Sequence, residues 1–439
     1  MSLAESPSAI STRARYLSLA AAFFGWMFDG VEMGMFPLCA KPALSALMPP
    51  GDDIGHWIGI VTALFLVGAA AGGVVFGWLG DRIGRVRAMT VAVVIYSLFS
   101  AMCAFAQAPW QLAVPRLLAS FGMGGEWSLG VALVMEAWPS TSRPLMAGLI
   151  GAAANLGFLL IGVVGLIVAT NFAAISTTFH AMLPESLAIA ALDHQAWRLL
   201  LLLGALPAIF TMFMIFFVPE SESWKQSAAA APKNHITDIF QPGIGGLVLK
   251  ASLLSTLTLL VTWGSTQQMP TWADGLGKVA GVPDGVAKAW TQIVSGFGAC
   301  VGCVIGALIA QWTNRRWTFF GMAVLSLISS QILFRMNVTY GTEFLVWVFL
   351  VGGITASFYG WLPLYLPELF PTRIRATAQG FSYNMGRVFS AVGVLNFGSL
   401  LTYYGKDYQK VFAFISLFYV LAMIAIWFCP ETKGRELPA

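Results

Sequence analysis

Long apolar runs alternate with short polar turns along this chain. Twelve runs reach the length of about 20 mostly apolar residues needed to cross a hydrocarbon core. They lie near 17–40, 57–79, 87–107, 111–137, 145–170, 197–218, 247–270, 287–311, 317–336, 344–369, 377–402 and 409–429. The pattern predicts an all-α membrane protein of twelve transmembrane helices. The stretch PESESWKQSAAAAPKNH, polar and then low in complexity, divides the runs six and six. The expected organisation is an N-terminal six-helix bundle over 1–219, a cytoplasmic linker over 220–246 and a C-terminal six-helix bundle over 247–439. The gap 171–196 is long enough for a short surface helix. A cleaved signal peptide is not expected, because the first run is too long for an h-region and carries two acids.

Composition agrees with the pattern. Hydrophobic residues make up 58% of the 439, charged residues 10%, and mean hydropathy is +0.76. A soluble domain carries roughly 25% charge, and so apolar a chain would expose large patches to water. The lipid bilayer is therefore the expected partner. A net charge of +4 is too small to suggest nucleic acid. The placement of charge is more informative than its sum. With the N-terminus inside, the cytoplasmic segments hold fourteen cations: Arg13, Arg15, Arg82, Arg85, Arg87, Arg143, Lys225, Lys233, Arg315, Arg316, Arg373, Arg375, Lys433 and Arg435. The outer loops hold five: Lys41, Lys278, Lys288, Lys406 and Lys410. That bias puts both termini in the cytoplasm of a multi-pass inner-membrane protein. The four histidines read as loop residues. Cys300 and Cys303 form a C-x-x-C inside an apolar run with no second ligand pair, so they read as packing residues. No metal site and no cofactor is expected, and the chain reads as a monomer.

Two segments repeat 232 residues apart: Glu136-Ala-Trp-Pro139-Ser-Thr-Ser-Arg143 and Glu368-Leu-Phe-Pro371-Thr-Arg-Ile-Arg375, each followed by a glycine, Gly148 and Gly380. A second repeat is lopsided. Gly77-Trp-Leu-Gly-Asp81-Arg82-Ile-Gly84-Arg85-Val-Arg87 joins spans 2 and 3, while its counterpart, Gly306 to Arg316, keeps a glycine and basic residues but loses the acid. Halves related in this way build transporters with a site between them near the midplane. These residues resemble the major facilitator superfamily, whose loop 2–3 signature G-x-x-x-D-R-x-G-R-x-R is complete here. The resemblance implies a cytoplasmic gate of Gly77, Asp81, Arg82, Gly84, Arg85, Arg87, Glu136, Arg143, Glu220, Glu368 and Arg375. In such a gate Asp81 faces a helix N-terminus and the arginines pair with acids at neighbouring helix ends. The plainer reading is a tight basic turn obeying only the charge bias. Pro219-Glu220-Ser221 with Trp224, Glu368-Leu-Phe-Pro371 and Pro430-Glu431-Thr432-Lys433-Gly434 resemble the sugar-porter-like clan, across nearly the whole chain.

An ionisable residue at bilayer centre costs about 2.5–3.5 kcal/mol on insertion scales, so each such residue needs an explanation. Five lie well inside spans: Asp29, Glu32, Arg116, Glu126 and Arg387. Asp29 and Glu32 are three apart and share a helical face. Two carboxylates so close in low dielectric do not both stay ionised, as a proton carrier requires; a solvated pair at a cavity mouth is the alternative. In the sugar-porter pattern an arginine in span 4 pairs with a span 1 aspartate, and the resemblance assigns those places to Arg116 and Asp29. A static salt bridge is the rival reading. Glu126, in GMGGEWSLG, reads either as a second proton site or as the partner of a neighbouring donor. Arg387 sits in YNMGRVFSAVG of span 11, where sugar porters carry no base and where organic-acid symporters commonly show a Gly-Arg step. A guanidinium in a central cavity suits a carboxylate through bidentate hydrogen bonds; an ion pair to another helix is the alternative.

The amides and tryptophan with which sugar porters bind hydroxyls are missing. Their places after Arg143 are Gly151 and Phe158, and the tryptophan position before Glu368 is Pro363. Trp26, Asn155, Trp263, Gln267, Tyr359 and Asn384 remain as candidates, with Arg387, for the lining of a substrate site. Together with MGGEW and Gly386-Arg387 they resemble the sialate, lactate and aromatic-acid:proton symporters. The expected function is proton-coupled symport of a small organic anion, most simply a carboxylate, by alternating access. Asp29, Glu32, Arg116 and Glu126 would couple the proton, and the proton gradient would drive transport. The alternative is a proton-coupled sugar or polyol symporter on the same fold. An enzyme is not expected, since no His/Cys/Asp cluster lies at membrane depth.

Overall fold

The computed structural model describes residues 11–182, 196–230, 235–336 and 339–438, and among them there is no β-strand. The first half comprises α1 (Thr12–Leu47), α2 (Ile54–Ile83), α3 (Arg85–Cys103), α4 (Pro109–Met123), α5 (Glu126–Ala137), α6 (Arg143–Met182), α7 (Ala196–Leu202) and α8 (Pro207–Phe217). A short α9 (Glu222–Ala230) lies in the expected linker. The second half comprises α10 (Gly245–Gly264), α11 (Met269–Val279), α12 (Val286–Trp312), α13 (Arg315–Arg335), α14 (Thr342–Tyr365), α15 (Arg375–Leu395), α16 (Phe397–Tyr403), α17 (Tyr408–Ser416) and α18 (Phe418–Ala425).

Among the described residues ten helical segments are long and apolar enough to cross a membrane, and an eleventh is the pair ending in α15 and α16, bent by 45°. Helix α1 is not among them, for Asp29 and Glu32 interrupt its middle; it packs along α5 and α6 inside the bundle. Helices α1, α2 and α6 overrun the expected boundaries, and side-chain caps rather than hydropathy set several of the starts. Ser11 accepts from Ala14 N (3.2 Å) to start α1, Asp53 from His56 N (3.0 Å) to start α2, and Asn314 from Trp317 N (2.8 Å) to start α13. Helix α6 runs on through a kink at Asn171 to Met182, so the first part of the expected outer loop is helix; residues 183–195 lie outside the described residues. The histidine reading needs correcting too. His56 sits in the first turn of α2 and His180 in α6, where polar residues extend a helix past its apolar run. His194 lies outside the described residues.

Close packing rests on small residues. Among the strongest contacts are α12 with α14 and with α6, and α2 with α15. At the α12–α14 crossing a side chain on Gly302 would strike Gly353 O at 1.8 Å. The outer surface carries large exposed hydrophobics such as Leu98, Ile209, Phe216 and Phe297, with exposed Trp312, Trp317 and Trp427 near helix ends. A surface of this kind is matched to lipid tails with interfacial anchors.

Candidate functional site

A central cavity opens where the two halves meet. Trp26 and Met33 of α1, Asn155 and Phe158 of α6, Thr262, Trp263 and Gln267 of the second half, and Tyr359, Tyr383 and Arg387 line it. Its wall includes an unwound stretch: α10 stops at Gly264, Thr266–Gln268 form a single tight turn, and α11 resumes at Met269. Broken helices of this sort expose backbone where solutes bind. Tyr359 donates to Thr262 Oγ1 (2.8 Å), and Thr262 returns its own proton to Thr258 O (3.0 Å). Asn155 donates to Gly151 O (3.0 Å) and reaches Cys303 Sγ at 3.4 Å. Cys303 in turn donates to Ala356 O (3.1 Å), so the C-x-x-C cysteines are free thiols in a helix seam.

Arg387 is 1% exposed and is the cationic side chain in the cavity wall. Its Nη1 donates to Asn384 Oδ1 (2.8 Å), its guanidinium lies 5.3 Å from the Tyr383 ring centre, and its Nε has no protein partner. Six of the seven expected lining residues, Trp26, Asn155, Trp263, Gln267, Tyr359 and Arg387, are brought together here. Asn384 is not in the wall. It faces the first half, donating to Gly380 O (2.9 Å) and toward Gly124 O (3.4 Å). Thr262, Ser295, Thr355 and Tyr383 join the lining without having been singled out; polar or aromatic residues at helical spacing are too common to flag them.

The acids expected to couple the proton separate into two groups, which corrects one expected pairing. Arg116 pairs with Glu32, not Asp29: its Nη1 bonds the carboxylate, its Nη2 bonds Glu32 O (3.2 Å), and Ser100 Oγ donates to the other carboxylate oxygen. The guanidinium lies over Phe65 and Phe36, 4.7 and 5.0 Å from the ring centres. The reason is register. Gly68 and Gly72 let α4 lie directly on α2, where side chains would strike Leu117 O (2.4 Å) and Phe121 O (1.8 Å), and the resulting height of Arg116 meets the second acid of α1. Asp29, one turn earlier, lies against Glu126 instead. Glu126 leans onto α1 at Gly25, whose missing side chain leaves it room, and among the described residues no donor reaches any oxygen of Asp29 or Glu126.

At one end of the bundle the halves are clasped by ions. Asp81 accepts from Thr377 N (2.8 Å), Thr377 Oγ1 (2.5 Å) and Ala376 N (3.3 Å), which caps the N-terminus of α15. Buried Arg85 bonds Asp81 (2.5 Å), Glu136 (3.0 Å) and Thr372 O (3.1 Å), and Arg375 bonds the same Glu136 oxygen (3.0 Å). Glu220 caps α3 through Arg85 N (2.8 Å) and Val86 N (3.1 Å). Arg143 donates to Met135 O and Trp138 O. Gly77 admits the α15 backbone, where a side chain would lie 2.6 Å from Ala376 O, and Gly84 (φ 111°) turns the chain between α2 and α3. Arg82 stacks over Trp78 at 4.7 Å and Arg87 is exposed, so neither joins the clasp through an ion pair among the described residues.

The second half repeats this network more fully than its motif suggested. Arg315 bonds Glu368 (2.6 Å), Thr432 donates to the same acid (2.6 Å), and Glu431 caps α13 through Arg315 N (3.0 Å) and Arg316 N (3.1 Å). Burial works to raise the Glu431 pKa, but the N–H groups of Lys433, Arg315, Arg316 and Thr432 outweigh it and hold it below the usual carboxylate range. What is missing is the counterpart of Asp81. Gln311, four residues before Arg315, makes only a 3.5 Å bond to Thr141 O.

A helical membrane protein with a cavity between two halves, clasped at one end by charges from both, is built as a solute transporter. The chain belongs to the Major Facilitator Superfamily, whose description it matches over residues 16–394. It is thus a multi-pass membrane transporter and not an enzyme. It is 28% identical to a probable 4-methylmuconolactone transporter of Cupriavidus pinatubonensis, over 94% of this chain and 90% of that one. It is 27% identical to a cis,cis-muconate transport protein of Acinetobacter baylyi, over 90% and 89%. Among solved structures, the proton:xylose symporter XylE bound to 6-bromo-6-deoxy-D-glucose superposes with a TM-score of 0.73 over 97% of this chain and 98% of that one. At 17% identity that likeness establishes the fold alone.

Proposed function

We propose that the protein is a proton-coupled symporter of a small organic carboxylate, working by alternating access. One observation carries the reading: a buried guanidinium, Arg387, stands in the wall of a cavity otherwise lined by aromatic and neutral polar groups. Binding a carboxylate there replaces lost hydration with charge-assisted bonds, which neutral solutes do not offer. The relatives named for muconate and 4-methylmuconolactone, both small oxygen-rich acids or their lactones, support the class. In the cycle, acids of the first half take a proton from the outer side. Arg387 holds the anion, and the halves rock about the site. The clasp of Asp81, Arg85, Glu136 and Arg375 then opens and re-forms. This orientation puts the clasp and both termini in the cytoplasm of the inner membrane, with residues 1–219 and 247–439 as the moving bundles and 220–246 as their linker. No cofactor takes part, and a monomer suffices.

Uptake of labelled cis,cis-muconate and xylose by proteoliposomes under an inward proton gradient tests the reading. Wild type is expected to accumulate the acid, and Arg387→Ala to lose uptake while still purifying as a monodisperse species. Xylose accumulation without acid uptake would overturn the assignment in favour of a sugar or polyol, and normal acid uptake by Arg387→Ala would overturn Arg387 as the anion anchor.

A further inference from the structure

Asp29 and Glu126 form an arrangement that ordinary packing does not produce. Both are about 99% or more buried, on different helices, and their four carboxyl oxygens have no hydrogen-bond donor. Carboxylates buried together without a donor repel one another and lose their hydration, so such a pair holds a proton between its members. Its surroundings supply little else. Tyr96 of α3 faces both acids, Glu32 lies one turn along α1, and the cation acting on Asp29 is Arg387 of α15. Arg116, the nearest cation on α4, is occupied by Glu32.

The contact between α15 and the segment bearing Glu126 is close. Asn384, which accepts from Arg387, reaches across to Gly124 O (3.4 Å), two residues before Glu126. Gln379 donates to Ser128 O (2.6 Å), two residues after it. Tyr383, beneath the Arg387 guanidinium, stacks on Trp127 at 4.0 Å. Arg387 is therefore pinned beside the acid pair on one side and lines the cavity on the other. We propose that the Asp29–Glu126 pair is the coupling proton site, and that the one negative charge left on the pair, which already shares a proton, competes with the substrate carboxylate for Arg387. Uptake of a second proton by the member still ionised, RCOO⁻ + H⁺ → RCOOH, leaves the pair neutral and the guanidinium free for the anion. Each bound carboxylate then takes up one proton, with no rearrangement of the Arg116–Glu32 bridge.

This rests on the reading of Arg387 as the anion anchor, and the test keeps the two apart. Binding of cis,cis-muconate to purified protein in detergent is measured by tryptophan fluorescence from acid to alkaline pH, with proton uptake followed by an indicator dye in weak buffer. Wild-type affinity is expected to fall about tenfold per pH unit above its midpoint, the slope of one linked proton. Asp29→Asn/Glu126→Gln is expected to bind with flat pH dependence and no proton uptake, and to support counterflow but not gradient-driven accumulation. Infrared difference spectra of wild type should show a carboxylic-acid C=O band appearing with muconate, altered in each single variant; this reading does not depend on the double variant folding. A double variant with wild-type pH dependence, or wild-type spectra without that band, would overturn the competition. A wild type that binds no carboxylate at any pH would instead sink the anion reading beneath it.

Discussion

The pairing of Arg116 decides which acid of α1 is structural, and unfolding measurements can read it. Arg116 and Glu32 are each 1% exposed, joined by their side chains and by a bond to Glu32 O. Glu32→Gln leaves a buried guanidinium without its counter-ion, a loss worth about 3–5 kcal/mol when one partner of a buried pair is removed. The stacking of Arg116 on Phe36 and Phe65 is present before and after the substitution, so it cancels from the difference. The expected cost is therefore about 3–5 kcal/mol. Asp29→Asn removes a carboxyl that accepts no bond and gives the site an amide able to donate to Glu126. Its expected cost is under about 1 kcal/mol, and a gain is as consistent with the geometry. Denaturant unfolding of the detergent-solubilised protein, followed by tryptophan fluorescence, separates the two. Glu32→Gln/Arg116→Gln should recover most of the loss, because no charge is then left uncompensated. If Asp29→Asn proves as costly as Glu32→Gln, Arg116 answers to Asp29 and the register argument from Gly68 and Gly72 fails.

Three further outcomes follow from the clasp. Asp81→Asn weakens charge-assisted bonds to Ala376, Thr377 and Arg85, worth about 1.5–3 kcal/mol each to a charged partner; the clasped end should open at least tenfold more often, read as faster labelling of a cysteine placed at Ala378. Gly84→Ala forces a side chain to φ 111° and within 2.2 Å of Glu220 Oε2; a strain of about 1–3 kcal/mol is expected as lower unfolding stability, and an unchanged midpoint would contradict the fold of that turn. Glu431 has its folded pKa depressed by four backbone donors, so its contribution is complete above the ordinary carboxylate range and disappears as pH falls through the lower folded value. Thermal midpoints should therefore decline with acidification over that window in wild type and stay flatter in Glu431→Gln.

Much of this was legible in the chain because hydropathy, charge bias and spaced glycines act locally. The lengths of most spans, the clasp formed by Asp81 and Arg85 with Glu136 and Arg375, and six of the lining residues all follow from period and motif. The failures are failures of register. Asp29 and Glu32 share a helical face, so nothing within α1 says which meets Arg116; the answer lies in how closely α4 settles on α2. In the second half Glu368 was expected in the gate, whereas its bond to Arg315 and the cap from Glu431 were not, because the incomplete motif around Arg315 gives no sign that the network survives the loss of its acid. The Tyr359–Thr262 bond joins helices 97 residues apart and carries no local signal. The helix in the linker was hidden by its composition, although Trp224 docks on Asp81 O (2.9 Å) and ties it to the clasp.

The asymmetry of the two halves has a mechanical reading that motif comparison alone does not supply. Asp81 grips the N-terminus of α15 through three bonds, while Gln311 touches the corresponding loop of the first half by one long bond. The same α15 carries Arg387 ten residues beyond Thr377, about 15 Å along the helix at 1.5 Å per residue. One helix thus joins the proposed anion anchor to the stronger side of the clasp, and between them its face is fixed to α5 by Gln379 and Tyr383. Any tilt of α15 that tightens Arg387 on a carboxylate moves Thr377 against Asp81. On the proposed function, substrate and clasp act on one lever, with the proposed proton site held on the opposing half and the weaker Gln311 side expected to yield first.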